Sequence, residues 1–322
     1  MGSHGGGTEE GQREVLAGYG ITEERLGVPV VTTVDTVYLG NCANGRPVWF
    51  DRAAYEADLI VPINRVKLHT DFVGPIQSGL CKMLVIGLGN HKGCSAVHEE
   101  APEVFADAIE ETARLILQKA PVGFGIAILE NAYDKTYAVE AVPAEHLVER
   151  EKELVQIAKG NMPYIMLDEA DVIVCGAIGK DISGAGFDPN ILGRSSVLKQ
   201  FVLHIPRYQR LVLCDVTPAS HGNGIGVGLF DVITKKVAEQ LDLESMYANA
   251  IACNCLGDAS VPCTVDDEET AIRVALKCCR NIDRDHPRII RIQNTLHLGE
   301  IEVSEALLDA VRADSRMSLI EN

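Results

Sequence analysis

The sequence predicts an α/β fold, built as two α/β domains with mostly parallel sheets. Three observations predict it. The runs DVIVCGAIG (171–179) and LVLCDV (211–216) are apolar without alternation, as expected of strands covered on both faces. Strand-like runs alternate with helical ones along the chain, which is the pattern of βα units. The apolar runs also leave directly into glycine-rich loops, where α/β enzymes gather their ligand contacts. At roughly 150 residues per domain, 322 residues suggest two domains, with the pattern restarting after Met162-Pro163. The expected division is therefore 1–163 and 164–322, with an active site in the interdomain cleft.

Taken in order, residues 8–26 read as a helix that opens on Thr8 with acids behind it and ends near Gly27. VPVVTTVDTVYLG (28–40) reads as one or two β segments, followed by a turn at Asn44-Gly45. ADLIVPINRV (57–66) is a short strand, and CKMLVIGLGN (81–90) reads as a loop or short strand leading into a helix. The clearest helix is HEEAPEVFADAIEETARLILQK (98–119), with Pro102 in its first turn and Lys119 at its close. FGIAILENA (124–132) is a buried strand, and a helix follows from Ala144 to Gly160. In the second half, 230–242 and 266–280 read as helices, RIIRIQN (288–294) as a strand and 303–313 as a closing helix.

The 29 basic against 46 acidic residues leave a formal charge of −17, which argues against nucleic acid or an anionic membrane as the main partner. No apolar run approaches the ~18 residues of a membrane-spanning helix, and MGSHGGGTEE has neither the basic nor the apolar part of a secretory signal. The expected setting is the cytoplasm and the expected partner a small molecule. None of the ten cysteines pairs at CxxC spacing, so reduced thiols that pack as small apolar groups are expected rather than a metal cluster.

Four loops concentrate His, Lys, Asp and Gly: 1–7, 67–98, 179–194 and 220–228. Neither glycine-rich loop of the second half matches the dinucleotide or P-loop fingerprint. Among nine histidines, His4 stands in a run of glycines with no bulky neighbour to shield it. His69 follows a strand end, and His98 is expected to open the 98–119 helix, where the dipole would keep its imidazole neutral. Lys82 lies in SGLCKMLVIG, apolar on its C-terminal side, where burial would depress its pKa and make it nucleophilic.

MGSHGGGTEEGQ, the segment from His69 to SGLCK, NHKGCSAVH, GKDISGAGFDPN and HGNGIGVGLFD together resemble the lactate racemase family, in an uncharacterised branch of it. The resemblance implies an isomerase that racemises or epimerises a 2-hydroxy acid with a covalently attached nickel-pincer nucleotide, supplied by cofactor-synthesis proteins. It implies His4 and His69 as the two catalytic histidines, Lys82 as the attachment lysine and His98, sixteen residues beyond it, as the nickel ligand. The chemical logic agrees. The Cα–H of a hydroxy acid is barely acidic, so its removal as hydride is the easier route, and one histidine on each face can serve the hydroxyl proton of each enantiomer. A single neutral imidazole would complete the square of donors around nickel.

The chain also departs from the family pattern. Its interval from His69 to Lys82 is about three residues longer, and Leu80-Cys81 stands where Gly-Arg is usual. The family carries a further α/β segment before the first histidine, with an arginine for the substrate carboxylate, so an upstream start or a shortened relative is expected. His91 is a rival ligand. Lys180, Asp181, Asp188, His221 and Asn223 are further candidates for substrate or cofactor contact. A non-catalytic nucleotide- or metal-binding protein of the same fold is the alternative reading.

Overall fold

The computed structural model describes residues 4–320, with the side chains of His4 and Ala252 outside the description. The chain is an α/β protein. It divides into two compact units, one of residues 1–131 and 135–162, the other of 132–134 and 163–322.

In the first unit, strands β1 (Thr36–Asn41) and β2 (Pro47–Asp51) form an antiparallel hairpin, turned at Asn44-Gly45 with Gly45 at φ +88°. Strand β3 (Ile63–Arg65) runs parallel to β4 (Phe124–Glu130), and β4 runs antiparallel to β5 (Thr136–Pro143). Alternate residues of β4, namely Gly125, Ala127 and Leu129, face inward. The helix Leu147–Asn161 packs on β4, and Phe105–Lys119 packs beside it. Leu84, Ile109, Ile116, Leu129, Leu147 and Leu154 are almost wholly buried in the core of this unit. Each such side chain contributes about 1.5–3 kcal/mol by leaving water.

The second unit holds β6 (Val172–Cys175), β7 (Arg210–Leu213), β8 (Val232–Thr234), β9 (Cys263–Val265), β10 (Ile289–Ile292) and β11 (Ile301–Val303). They form one sheet in the order β11-β10-β6-β7-β8-β9, parallel throughout except for β11. Strand β6 is buried at all four positions, which is why it reads as an unbroken apolar run. The helix Glu268–Lys277 covers one face, with Ala271 and Ala275 against Val172, Val174, Val212 and Val232. The chain moves from β6 outward to β9 and then returns to β10 on the other side of β6. That reversal places the sheet's topological switch point between β6 and β10.

Four local expectations are corrected. The 8–26 helix is two helices, Glu9–Gly18 and Glu23–Leu26, because Gly20 at φ +74° breaks the ladder and Thr22 caps afresh. CKMLVIGLGN is helical rather than loop or strand: Leu80, Cys81, Leu84 and Val85 fall on one buried face of a helical run, Leu80–Lys82 and Met83–Gly87. His98 does not open a helix but ends one, Asn90–His98, since Pro102 starts a separate turn ahead of Phe105–Lys119. The 230–242 segment begins as strand β8, whose Thr234 then caps the helix Lys235–Gln240. All ten cysteines are free, seven of them buried. No helix among the described residues is long and apolar enough to cross a membrane.

Candidate active site

The loop that follows β3 is closed like a clasp. Lys67 and Ser78 exchange both backbone hydrogen bonds, at 2.8 and 3.2 Å, and buried Phe72 and Ile76 anchor the loop between them. Gln77 Oε1 accepts the His69 backbone N–H at 2.8 Å, while Gln77 Nε2 donates to the Gly74 carbonyl at 3.1 Å. The His69 ring stacks on Phe72 with centroids 4.3 Å apart. The loop therefore presents His69 in one orientation.

Lys82 comes from the opposite side of the clasp, in the first turn of the helical run that begins after Gly79. Its Nζ lies 2.6 Å from His69 Nε2. The proton on that contact can be assigned. The Asp71 backbone N–H, which can only donate, points at His69 Nδ1 from 3.1 Å, so the neutral imidazole carries its hydrogen on Nε2. Lys82 must then accept, and only an uncharged amine can. Burial, more than any other cause, depresses the Lys82 amine to about 8; Lys67 adds to the effect and Asp71 opposes it. Burial likewise holds His69 well below its usual value, helped by the charges of Lys82, Lys67 and His98. The pair thus joins a neutral imidazole to a readily deprotonated amine, the state a lysine nucleophile requires. The run continues past Lys82 with a wide turn in which Leu88 N–H reaches the Met83 carbonyl at 2.8 Å, a π-type irregularity of the kind often found at functional sites.

His98 sits at the C-terminal end of its helix. Its Nδ1 is 2.7 Å from the Cys94 carbonyl and 3.5 Å from the Cys94 thiol. A carbonyl only accepts, so Nδ1 carries the hydrogen and Nε2 holds the lone pair. The hydrogen bond to Cys94 raises the His98 pKa, opposite to the direction expected of a helix start. A ring nitrogen donating to a backbone carbonyl, with the other left to coordinate, is the arrangement of most metal-binding histidines. Phe105 meets His98 edge-on at 5.0 Å and Phe72 at 4.9 Å, so an unbroken aromatic chain runs from His69 to His98. No group of three or more His, Cys, Asp or Glu among the described residues could hold a metal by itself. His98 Nε2 can offer a metal one donor.

The side chain of His4 lies outside the described residues. Its glycines do have a structural reason: a Cβ on Gly5, at φ +62°, would meet the Gly11 backbone at 2.2 Å, so the turn His4–Gly7 folds directly onto the helix Glu9–Gly18. The exposed rival His91 lies beside Gly7. Its neighbour Asn90 is structural, buried at φ +50° with its amide on Asp51 at 2.8 Å.

The further candidates all belong to the second unit. Lys180 Nζ donates to the Gly184 carbonyl at 2.6 Å and to Asn249 Oδ1. Asn223 donates to the same Asn249 oxygen at 3.2 Å, and Thr217 donates to Asp181. These five side chains and that of Ser220, which accepts the Lys180 N–H at 2.9 Å, gather beyond the carboxyl ends of β6 and β7. Asp188 is a helix cap, accepting the Asn190 N–H at 2.9 Å. His221 is exposed, in a left-handed turn.

Sequence reading missed Gln77, Phe72, Cys94 and Glu151. Of these only Glu151 had a signal: it falls in register with Leu147, Val148, Leu154, Val155 and Ala158 on the buried stripe of its helix, where a carboxylate is out of place.

No protein-family profile matches the chain, and no curated protein sequence does. Among solved structures, it is similar to the lactate racemase apoprotein from Thermoanaerobacterium thermosaccharolyticum, at 12% identity and a TM-score of 0.41, over 81% of this chain and 67% of that one. It is also similar to a protein from Thermotoga maritima, at 13% identity and a TM-score of 0.42, over 77% of this chain and 68% of that one. Likeness at that level carries no argument about chemistry.

Proposed function

We propose that this chain is an isomerase that racemises or epimerises a 2-hydroxy acid, using a nickel-pincer nucleotide held covalently on Lys82. The observation that carries the reading is the contact of the Lys82 amine with His69 Nε2, in which the lysine has to be neutral. When bound, that cofactor supplies the acceptor and donor of the substrate's hydride. The chain's own residues divide the remaining work. Lys82 is the nucleophile that holds the cofactor, and His98 Nε2 is the imidazole donor to its metal. His69 takes the proton from the substrate hydroxyl and returns it, and His4 is assigned the same role for the other enantiomer.

The two roles of the His69–Lys82 pair follow each other. Free Lys82 accepts the Nε2 proton of His69, so His69 has no lone pair to offer on that side. Once linked, the lysine nitrogen keeps a hydrogen but loses its basic lone pair. For Nε2 to act as a base its hydrogen would have to move to Nδ1, which requires the Asp71 N–H to turn away from that nitrogen.

The test is expression together with nickel-pincer synthesis proteins, followed by intact mass, bound nickel and chiral chromatography of 2-hydroxy acids. A mass increment mapping to Lys82 and absent from Lys82→Arg, with interconversion of enantiomers, is the expected result. Nickel or nucleotide bound without turnover would replace it with the non-catalytic binding reading. No increment on Lys82 would sink the attachment.

A further inference from the structure

We infer that Glu151 is a positioning residue for Lys82: its buried carboxyl group caps, from a separate helix, the turn that aims the lysine at His69. The inference rests on the reading of Lys82 as the attachment nucleophile. The helical run starting at Leu80 has no cap of its own, since Gly79 offers no side chain. Its first backbone N–H groups would be unsatisfied in the core. Glu151, fully buried on Leu147–Asn161, fills that need: Oε2 accepts the Cys81 N–H at 2.8 Å.

Gly79 and Glu151 are matched in space. A Cβ on residue 79 would lie 2.6 Å from Glu151 Oε1. Asn64 Nδ2 holds the Gly79 carbonyl at 2.8 Å, so the turn is gripped on both sides. Oε1 is itself buried without a hydrogen bond of normal geometry. A fully buried carboxyl group is costly to keep for stability alone. Lys82 is the next residue after the anchored amide, so loss of the anchor would release the lysine toward solvent.

The experiment is competitive labelling of the folded protein with acetic anhydride from about pH 6 to about pH 11, read by peptide mass spectrometry. Wild-type Lys82 should titrate near 8. In Glu151→Ala it should titrate near the ordinary lysine value of ~10.4, cutting its labelling at pH 8 by at least about tenfold. Glu151→Gln keeps the acceptor and should stay within about threefold of wild type, while Glu151→Asp keeps the charge, shortens the reach and should fall with Ala. A wild-type Lys82 of ordinary pKa would overturn the nucleophile reading itself. A depressed Lys82 that survives Glu151→Ala would overturn only the role of Glu151. If Glu151→Ala does not fold, an unchanged Lys82 in Glu151→Asp would do the same, and impairment in Glu151→Gln but not in Glu151→Asp would replace positioning by charge.

Discussion

Lys82 Nζ and His69 Nε2 stand 2.6 Å apart at the mouth of a loop clasped by Lys67 and Ser78, and burial, with the Lys82 charge second to it, holds His69 well below its usual range. Removing the amine should therefore free the imidazole. In Lys82→Met, the His69 pKa should move up, because a nearby cation is gone, yet stay below about 6.5, because burial is the larger cause and persists. Imidazole C–H shifts followed through a pH titration by NMR check this. A downward or absent shift would break the coupling.

Gly79 should not tolerate even a methyl group. Its φ of 176° is extended backbone open to any residue, so the penalty comes from the contact with Glu151 alone. Gly79→Ala is expected to cost about 1–3 kcal/mol, lowering Tm by several degrees. In Gly79→Ala/Glu151→Ala most of that cost should disappear. A thermal melt series shows whether the two losses are independent, which would refute the shared origin.

Glu151 sets an unusual pH dependence. Burial raises its carboxyl to about 7 from 4.5, so between those values the folded state binds more protons than the unfolded one. Its contribution therefore falls as pH rises through that window, by up to about 3 kcal/mol. Glu151→Gln, which is neutral throughout, should be closest to wild type at about pH 5 and more stable than it above about pH 7. Urea unfolding at the two pH values measures the difference; equal differences would mean that the carboxyl is not desolvated.

His98 and Lys82 should separate metal from attachment. His98→Ala in cofactor-loaded protein is expected to keep the covalent increment on Lys82 and lose bound nickel by more than the roughly tenfold that loss of an outer-shell partner alone costs. Cys94→Ala leaves the Nδ1–carbonyl bond in place and should retain the metal. Metal analysis beside intact mass reads both. Full nickel in His98→Ala would transfer the ligand role to His91.

The sequence by itself determined the fold class and several residues worth asking about. Unbroken apolar strands such as Val172–Cys175 announce a covered parallel sheet because they have no wet face, and a lysine among apolar neighbours announces a shifted pKa. Those signals are local. Element boundaries were less legible wherever a neighbour overrode propensity: Val232–Thr234 became a strand only because β7 and β9 flank it, and Leu80–Gly87 became helical because one face of it is buried. His98 was legible as a residue but not as a helix end, since nothing before Pro102 marks the stop. Only the tertiary structure decided which proton His69 carries, which nitrogen His98 leaves open, and that Glu151, 69 positions beyond Lys82, caps its turn. Each of these depends on a hydrogen bond between residues brought together by packing. A one-dimensional pattern records which groups can donate and accept; the partner each one meets is set by the core that folds around it.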